Sequence, residues 1–327
     1  MNLSTCSSMM GYAQYFIYLM ILGLFACEGN MKEAQENPDD QEGNCELLPE
    51  ENREPVSNPI FQEGFEYASI DEMLENWDDQ KNTKGMSFSD DVPAGSSGKQ
   101  ALMMTYVAGE NTGGHLFKEL PEGYDSLYAR FYVKFLTRES SIHHFVKIGG
   151  YYPSVAWPQG LAGMKPQGND FFISGIESPL SQNWDWGFYT YWMHMHGRPD
   201  AYWGNVFYPE VPIELALDKW ICVEFMIKLN DPVDAFNGEM AFWIDGKKRL
   251  HLGEGFPEVE RSGGRYREGA SASSYPFPGF QWRNCEQLKI TFFWLNYYMT
   301  KGNEGDIDKV LFDDIELSTE YIGPYAL

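Results

Sequence analysis

Along most of this chain apolar and polar residues alternate, a period that puts every second side chain on one face of a strand rather than on a helical stripe. The clearest case is residues 220–247. Val223, Phe225, Ile227 and Leu229 share one face, and Glu224, Met226 and Lys228 the other. Asn, Asp, Pro and Gly in 230–238 then turn the chain, and the apolar run 240–244 ends in Asp245-Gly246, a favourable hairpin dipeptide. Residues 124–136 alternate as cleanly, with Ala129, Phe131, Val133 and Phe135 opposite Tyr128, Arg130, Tyr132 and Lys134. The same reading predicts strands at 100–107, 116–120, 141–150, 171–176, 184–195, 288–298 and 310–317. Only 69–78 is compatible with a helical turn or two. Residues 151–168, rich in Pro and Gly around Trp157, and 251–281 have no period; a loop of the first kind inside a compact domain is a candidate wall of a cleft.

Strand parity then sorts the chemistry-bearing residues. In 141–150 it puts His143 and Lys147 on one side with Phe145, and His144 with Val146 and Ile148 on the other, where it reads as a core residue. In 184–195 it groups Phe188, Thr190, Trp192, His194 and His196 against Tyr189, Tyr191, Met193 and Met195. The Met and Tyr side makes the better core, so Trp192, His194 and His196 are expected to face outward, with Arg198 just beyond. In 288–298, Phe292, Trp294, Asn296 and Tyr298 share a face. The polar face of 124–136, with Arg130 and Tyr132, suits either a concave ligand-bearing sheet or an ordinary solvated one. His194-x-His196 spacing can ligate a metal from one strand face, but no third ligand is identifiable.

Composition narrows the partners. A formal charge of −24 and 16% aromatic residues argue against a nucleic-acid binder, which needs a basic surface. They leave open whether a given ring fills the core or stacks on a sugar. Residues 247–267 hold six Lys or Arg against three Glu, a local excess suited to an anionic ligand or to a solvated loop of mixed sign. Nothing calls for an organic cofactor.

The Trp at 220, the alternating strand ending in Leu229-Asn230, the Gly-containing turn and the strand ending in Asp245-Gly246-Lys247 resemble the concanavalin A-like jelly-roll fold. Among its members the chain is most similar to polysaccharide lyase 14-type proteins. The resemblance implies an all-β sandwich of two antiparallel sheets over residues 59–327. It also implies a last strand beside the first, where Glu63 or Glu66 with Asp313 or Asp314 would hold a structural calcium. Glucanases of this fold use a Glu-x-Asp-x-x-Glu strand, which is absent here. Lyases instead remove the proton beside a uronate carboxylate, which requires a group to neutralise that carboxylate, a base, and an acid for the leaving oxygen. The expected catalytic set is His143, Lys147, His194 and Tyr298: His143 or His194 neutralises or abstracts, Lys147 assists as base and Tyr298 donates. Arg130, Tyr132, Trp192, His196, Arg198, Trp294 and Asn296 would bind substrate. A carbohydrate-binding protein that does not cut, and a structural envelope module, are the competing readings.

The N-terminus is separate. The apolar run 15–26 is short for a bilayer span and ends in Leu24-Phe25-Ala26-Cys27, which resembles a bacterial lipobox, although no Lys or Arg precedes it. The resemblance implies a signal peptide at 1–26, lipidation at Cys27 and a cell-envelope lipoprotein, periplasmic or in the outer membrane. Residues 27–58 read as a flexible tether: 28–54 carry ten acids against Lys32 and Arg53 and too few apolar groups to offset ordering entropy. Of five cysteines, only Cys222 and Cys285 fall in the folded domain, either paired or reduced.

Overall fold

The computed structural model describes residues 59–325 apart from 138, 156, 178–184, 198–200 and 214. The expected signal, Cys27, the tether and Arg198 lie outside the described residues. Among the described residues one short α-helix, α1 (Ile70–Leu74), is capped at Ser69. The strands are β1 (Phe61–Glu63), β2 (Asp79–Lys81), β3 (Met86–Ser89), β4 (Ala101–Val107), β5 (Gly113–Tyr124), β6 (Ser126–Phe135), β7 (Lys147–Tyr151), β8 (Phe171–Glu177) and β9 (Gly187–Tyr191). They continue with β10 (Asn205–Tyr208), β11 (Ile221–Lys228), β12 (Glu239–Ile244), β13 (Lys247–Leu252), β14 (Glu254–Ser262), β15 (Arg265–Glu268), β16 (Tyr275–Pro278), β17 (Ile290–Tyr298) and β18 (Ile307–Ser318).

These form the jelly-roll sandwich that the alternation predicts. One sheet runs β13-β12-β11-β6-β18-β4-β3, with β1 also paired to β18; the other runs β16-β14-β15-β10-β9-β8-β7-β17-β5-β2. Every pairing between these strands is antiparallel except β10 with β15. The apolar face of β6 (Leu127, Ala129, Phe131, Val133, Phe135) is fully buried with Val223, Phe225 and Ile227 of β11. Across the interface Phe131 meets Phe145, which lies just before β7, at 6.1 Å, and Phe188 meets Phe225 and Phe242 at 6.3 and 5.4 Å between ring centroids. Such interdigitating rings fill the space between aligned sheets. At the β12–β13 hairpin Asp245 (φ 50°) and Gly246 (φ 72°) take the left-handed pair of a tight turn, as their sequence predicts.

Three segments differ from the sequence reading. Residues 251–281 are not a loop but form β14, β15 and β16; each has a single fully buried apolar residue, Val259, Tyr266 and Phe277, too few to show a period. The strand expected over 141–150 begins only at Lys147, preceded by one isolated bridge between His144 and Tyr298. That break turns Phe145 into the core while Lys147 faces outward, so the two do not share a side. The strand expected over 184–195 stops at Tyr191, and the Met195 N–H donating to Trp192 O (3.0 Å) closes a turn. Phe188 and Thr190 are therefore the inward residues of β9 and Tyr189 and Tyr191 the outward ones, the reverse of the expected parity. Cys222 and Cys285 are free thiols, and burial pushes the Cys222 thiol up to about 12.

Candidate active site

The outer face of the β6 sheet is closed. Arg130 and Tyr132, expected to bind substrate, are buried beneath residues 321–325. Arg130 pairs with Glu316 (3.0 Å) and donates to Gly323 O (3.3 Å). Tyr325 stacks on Tyr132 at 5.0 Å, and its N–H donates to the Tyr132 hydroxyl. Glu224 accepts from the N–H groups of Ile322 and Gly323, each at 2.8 Å. The Tyr and Arg residues of that face anchor the C-terminal segment, a role that alternation cannot distinguish from ligand binding.

The other sheet carries an open groove of about 420 Å³. Its floor follows one register row: Phe117 (β5), Trp294 (β17), Lys147 (β7), Gly175 (β8) and Tyr189 (β9) are successive Cα partners and so point to the same side. Gly175 makes room for the lysine, since a Cβ there would lie 2.9 Å from Lys147 Cγ. Lys147 is only 5% exposed, and its ammonium lies 5.4 Å from the Trp294 ring centroid. It makes no ion pair among the described residues. Burial holds its pKa below the ordinary lysine range, partly offset by the nearby carboxylate of Glu177.

Glu177 is buried at the end of β8 and organises the neighbouring histidine. It accepts from Phe145 N–H (2.7 Å), and His144 Nδ1 lies 3.3 Å from its Oε1, leaving Nε2 of His144 for other partners. His144 lies in the groove lining, stacked on Tyr298 at 5.9 Å and 5.5 Å from the Tyr189 ring. This corrects its expected place in the core. His143 lies beside it at the surface, with Nδ1 2.8 Å from Thr300 Oγ1; partial desolvation, and after it His144, lower its pKa. Tyr298, Asn296, Tyr191 and His115 also line the groove, with Pro158, Gly160 and Ala162 from the 151–168 stretch. Burial, and after it Tyr191, raise the Tyr189 pKa, so the phenol keeps its proton. The structure thus brings together His143, Lys147, Trp294, Asn296 and Tyr298 of the expected set, and adds His144, Tyr189, Tyr191 and Glu177.

The remaining expected residues lie apart. Trp192 is buried, donating Nε1–H to Asn205 Oδ1 (3.2 Å) and packing on Phe280. His194 pairs with Gln281 (2.8 Å) and lies against Phe236, and His196 is engaged by Arg261 (2.7 Å). None of the three lines the Lys147 groove, because the strand that would have aimed them there has already ended. Among the described residues no three His, Cys, Asp or Glu side chains converge to hold a metal. β1 does lie beside β18, but Glu63 is taken up by Phe65 N–H, Tyr67 and Asn76, and Asp313 Oδ1 accepts from Asp314 N–H. Asp313 Oδ2 and Asp314 Oδ2 are buried with no hydrogen-bond partner among the described residues, oxygens of the kind that a calcium ion takes. Burial and Asp314 push Asp313 up to about 8.

No family model matches the sequence, and no curated protein matches it. Solved structures do. A marine PL-14 alginate lyase from Aplysia kurodai superposes with TM-score 0.53 at 11% identity, covering 81% of this chain and 100% of that one. The alginate lyase vAL-1 from Chlorella virus gives 0.50 at 12% identity over 80% and 99%. A substituted form of alginate lyase Aly36B in complex with an alginate tetrasaccharide gives 0.51 at 12% over 81% and 98%. At such identities the likeness defines the fold: a jelly roll of the kind found in polysaccharide lyases.

Proposed function

We propose that the groove cleaves a uronate-containing polysaccharide by β-elimination. The observation that carries this reading is Lys147, a buried amine with a lowered pKa that faces Tyr189 across the gap at Gly175. A sugar seated in the groove against Lys147 and Tyr189 has a base on one side and a protonated phenol on the other. Neutral Lys147 takes the proton on the carbon that bears the carboxylate. The electron pair left behind forms the ring double bond as the adjacent carbon–oxygen bond breaks, and the leaving oxygen takes the Tyr189 proton. Asn296 and His144, the latter oriented by Glu177, hold the carboxylate so that charge developing on it is stabilised. Trp294 and Tyr298 offer ring faces to neighbouring sugars.

Alginate is the first polymer to test, since the similar structures are described as alginate lyases. Incubating the protein with a panel of uronate polysaccharides and following the absorbance of the unsaturated product tests the reading. Product formation that is lost in Lys147→Ala supports it. Binding without product makes the protein a carbohydrate-binding one, and neither binding nor product removes the saccharide reading. We also infer that the chain is a cell-envelope lipoprotein anchored at Cys27, on the resemblance of 24–27 to a lipobox. Metabolic labelling with a fatty acid, lost in Cys27→Ala, is the check.

A further inference from the structure

The register row that carries Lys147 and Tyr189 does not end at the groove. Tyr189 pairs with Val206 of β10, and Val206 pairs with Arg265 of β15 through the one parallel contact of the sheet. Arg265 therefore projects on the same side as Lys147, four strand spacings away, or about 19 Å. A second depression of about 480 Å³ lies there, lined by His196, Val206, Arg261 and Arg265. Trp203 lines both depressions and is 56% exposed. Its position is tied to the groove floor, since the next residue, Gly204, donates its N–H to the Tyr189 hydroxyl at 2.9 Å.

The charges there are unspent. Among the described residues the arginines that form ion pairs are Arg130 and Arg283, not Arg261 or Arg265. Arg261 instead reaches the neutral ring of His196, and the nearby Glu260 is taken up by Ser271 and Ser273. In a chain of net charge −24, exposed guanidinium groups without carboxylate partners beside an exposed indole mark a place for anions borne on a sugar chain.

We propose that Arg261 and Arg265, with Trp203 as the stacking bridge, form a distal subsite that binds carboxylates of the same polyuronate chain several sugars from the bond being broken. The proposal rests on the β-elimination reading for the identity of the chain, but its geometry is independent of the chemistry. It makes the protein selective for long chains: a short oligosaccharide fills the Lys147 groove and gains nothing from the arginines, whereas a long one collects charge-assisted hydrogen bonds at both ends. Because Arg261 and Arg265 are exposed, that gain is weakened by salt.

The test compares short and long size-fractionated alginate oligosaccharides on the full chain. Turnover gives kcat/KM, and binding to the Lys147→Ala protein gives affinity without turnover. In Arg261→Gln/Arg265→Gln the advantage of long over short chains should shrink about tenfold, the loss of charge-assisted contacts. It should appear in KM rather than kcat, and Arg265→Lys should restore part of it. Trp203→Ala should reduce the same ratio, and added salt should reduce it in the wild type but not in the double variant. A ratio that the arginine substitutions leave unchanged, or affinity that does not depend on chain length, overturns the subsite. Should no polyuronate be cleaved, the β-elimination reading fails alone, and the binding arm still decides: length-dependent affinity lost in the double variant upholds the subsite, and no affinity for any length rejects it.

Discussion

The two outer faces of the sandwich carry similar side chains and put them to opposite uses. Over the β6 sheet, Arg130, Glu224, Glu316, Tyr132 and Tyr325 are brought together by the returning C-terminal segment; the guanidinium meets a carboxylate at 3.0 Å, and the second carboxylate meets two backbone N–H groups. Over the β7–β9 side, Lys147, His144, Glu177, Tyr189 and Tyr298 are just as close-packed, but Lys147 has no ion-pair partner among the described residues. A buried charge that is matched internally holds the fold together, whereas one left unmatched in an open groove is a cost to the fold that a ligand can recover. Charge and aromatic content therefore do not tell a site from a clasp; the covering segment does.

The largest effects should separate these two roles. Lys147→Met removes the proposed base from the groove and should lower kcat/KM by about 10²- to 10⁴-fold, while thermal unfolding shows a melting temperature unchanged or higher, because an unpaired buried cation is gone. In the wild type kcat/KM should rise with pH through the lowered Lys147 pKa, since only the neutral amine accepts a proton, and that limb should vanish in the variant. Arg130→Met should do the reverse. It leaves Glu316 and Glu224 buried without their cation and should cost about 3–5 kcal/mol in denaturant unfolding, with the chemistry of the remaining folded protein intact. Equal loss of activity and stability in both variants would erase the distinction.

How far the sequence discloses this arrangement follows from where alternation is regular. β6, β11, β17 and the β12–β13 hairpin have one apolar and one polar face, so their registers and the shared face of Trp294, Asn296 and Tyr298 could be read directly. The groove half of β9 could not. In 187–191 both faces are aromatic or hydroxyl-bearing, and only the inward packing of Phe188 on Phe225 and Phe242 decides that Tyr189 and Tyr191 face out. Likewise nothing in 141–147 announces that the chain leaves strand geometry before Lys147 and brings His144 to the groove. The short apolar content of β14 to β16 hid the strands that carry Arg261 and Arg265. The covering of Arg130 and Tyr132 by 321–325 is a contact across nearly 200 residues, which no local pattern contains.

A smaller effect belongs to the closed half of the molecule. Asp313, fully buried in β18, is raised from 3.8 to about 8 by burial and the adjacent Asp314. A carboxyl raised in the folded state stabilises while it is protonated. Its contribution is complete below about pH 4 and is lost as pH rises through about 8. Wild-type stability should therefore decline steadily across that window relative to Asp313→Asn. Parallel pH profiles of the two proteins would show no charged carboxylate penalty at this position.

The finest test addresses position rather than charge. In Gly175→Ala the new Cβ would lie 2.9 Å from Lys147 Cγ and 3.3 Å from Val146 O; the backbone oxygen cannot yield easily, so the lysine stem must shift by a few tenths of an ångström. The amine survives with its burial and its distance from any ion-pair partner little changed, and stability should move by less than about 1 kcal/mol, with the lower chain entropy of alanine in the unfolded state partly offsetting the contact. Only the alignment of Lys147 with Tyr189 across the gap is disturbed, and kcat should fall about tenfold while KM for a long oligosaccharide, set largely at the distal arginines, stays near the wild-type value. A fall in KM-side terms with kcat preserved would mean that the Lys147 end of the groove only seats the sugar, and that the proton transfers take place elsewhere in it.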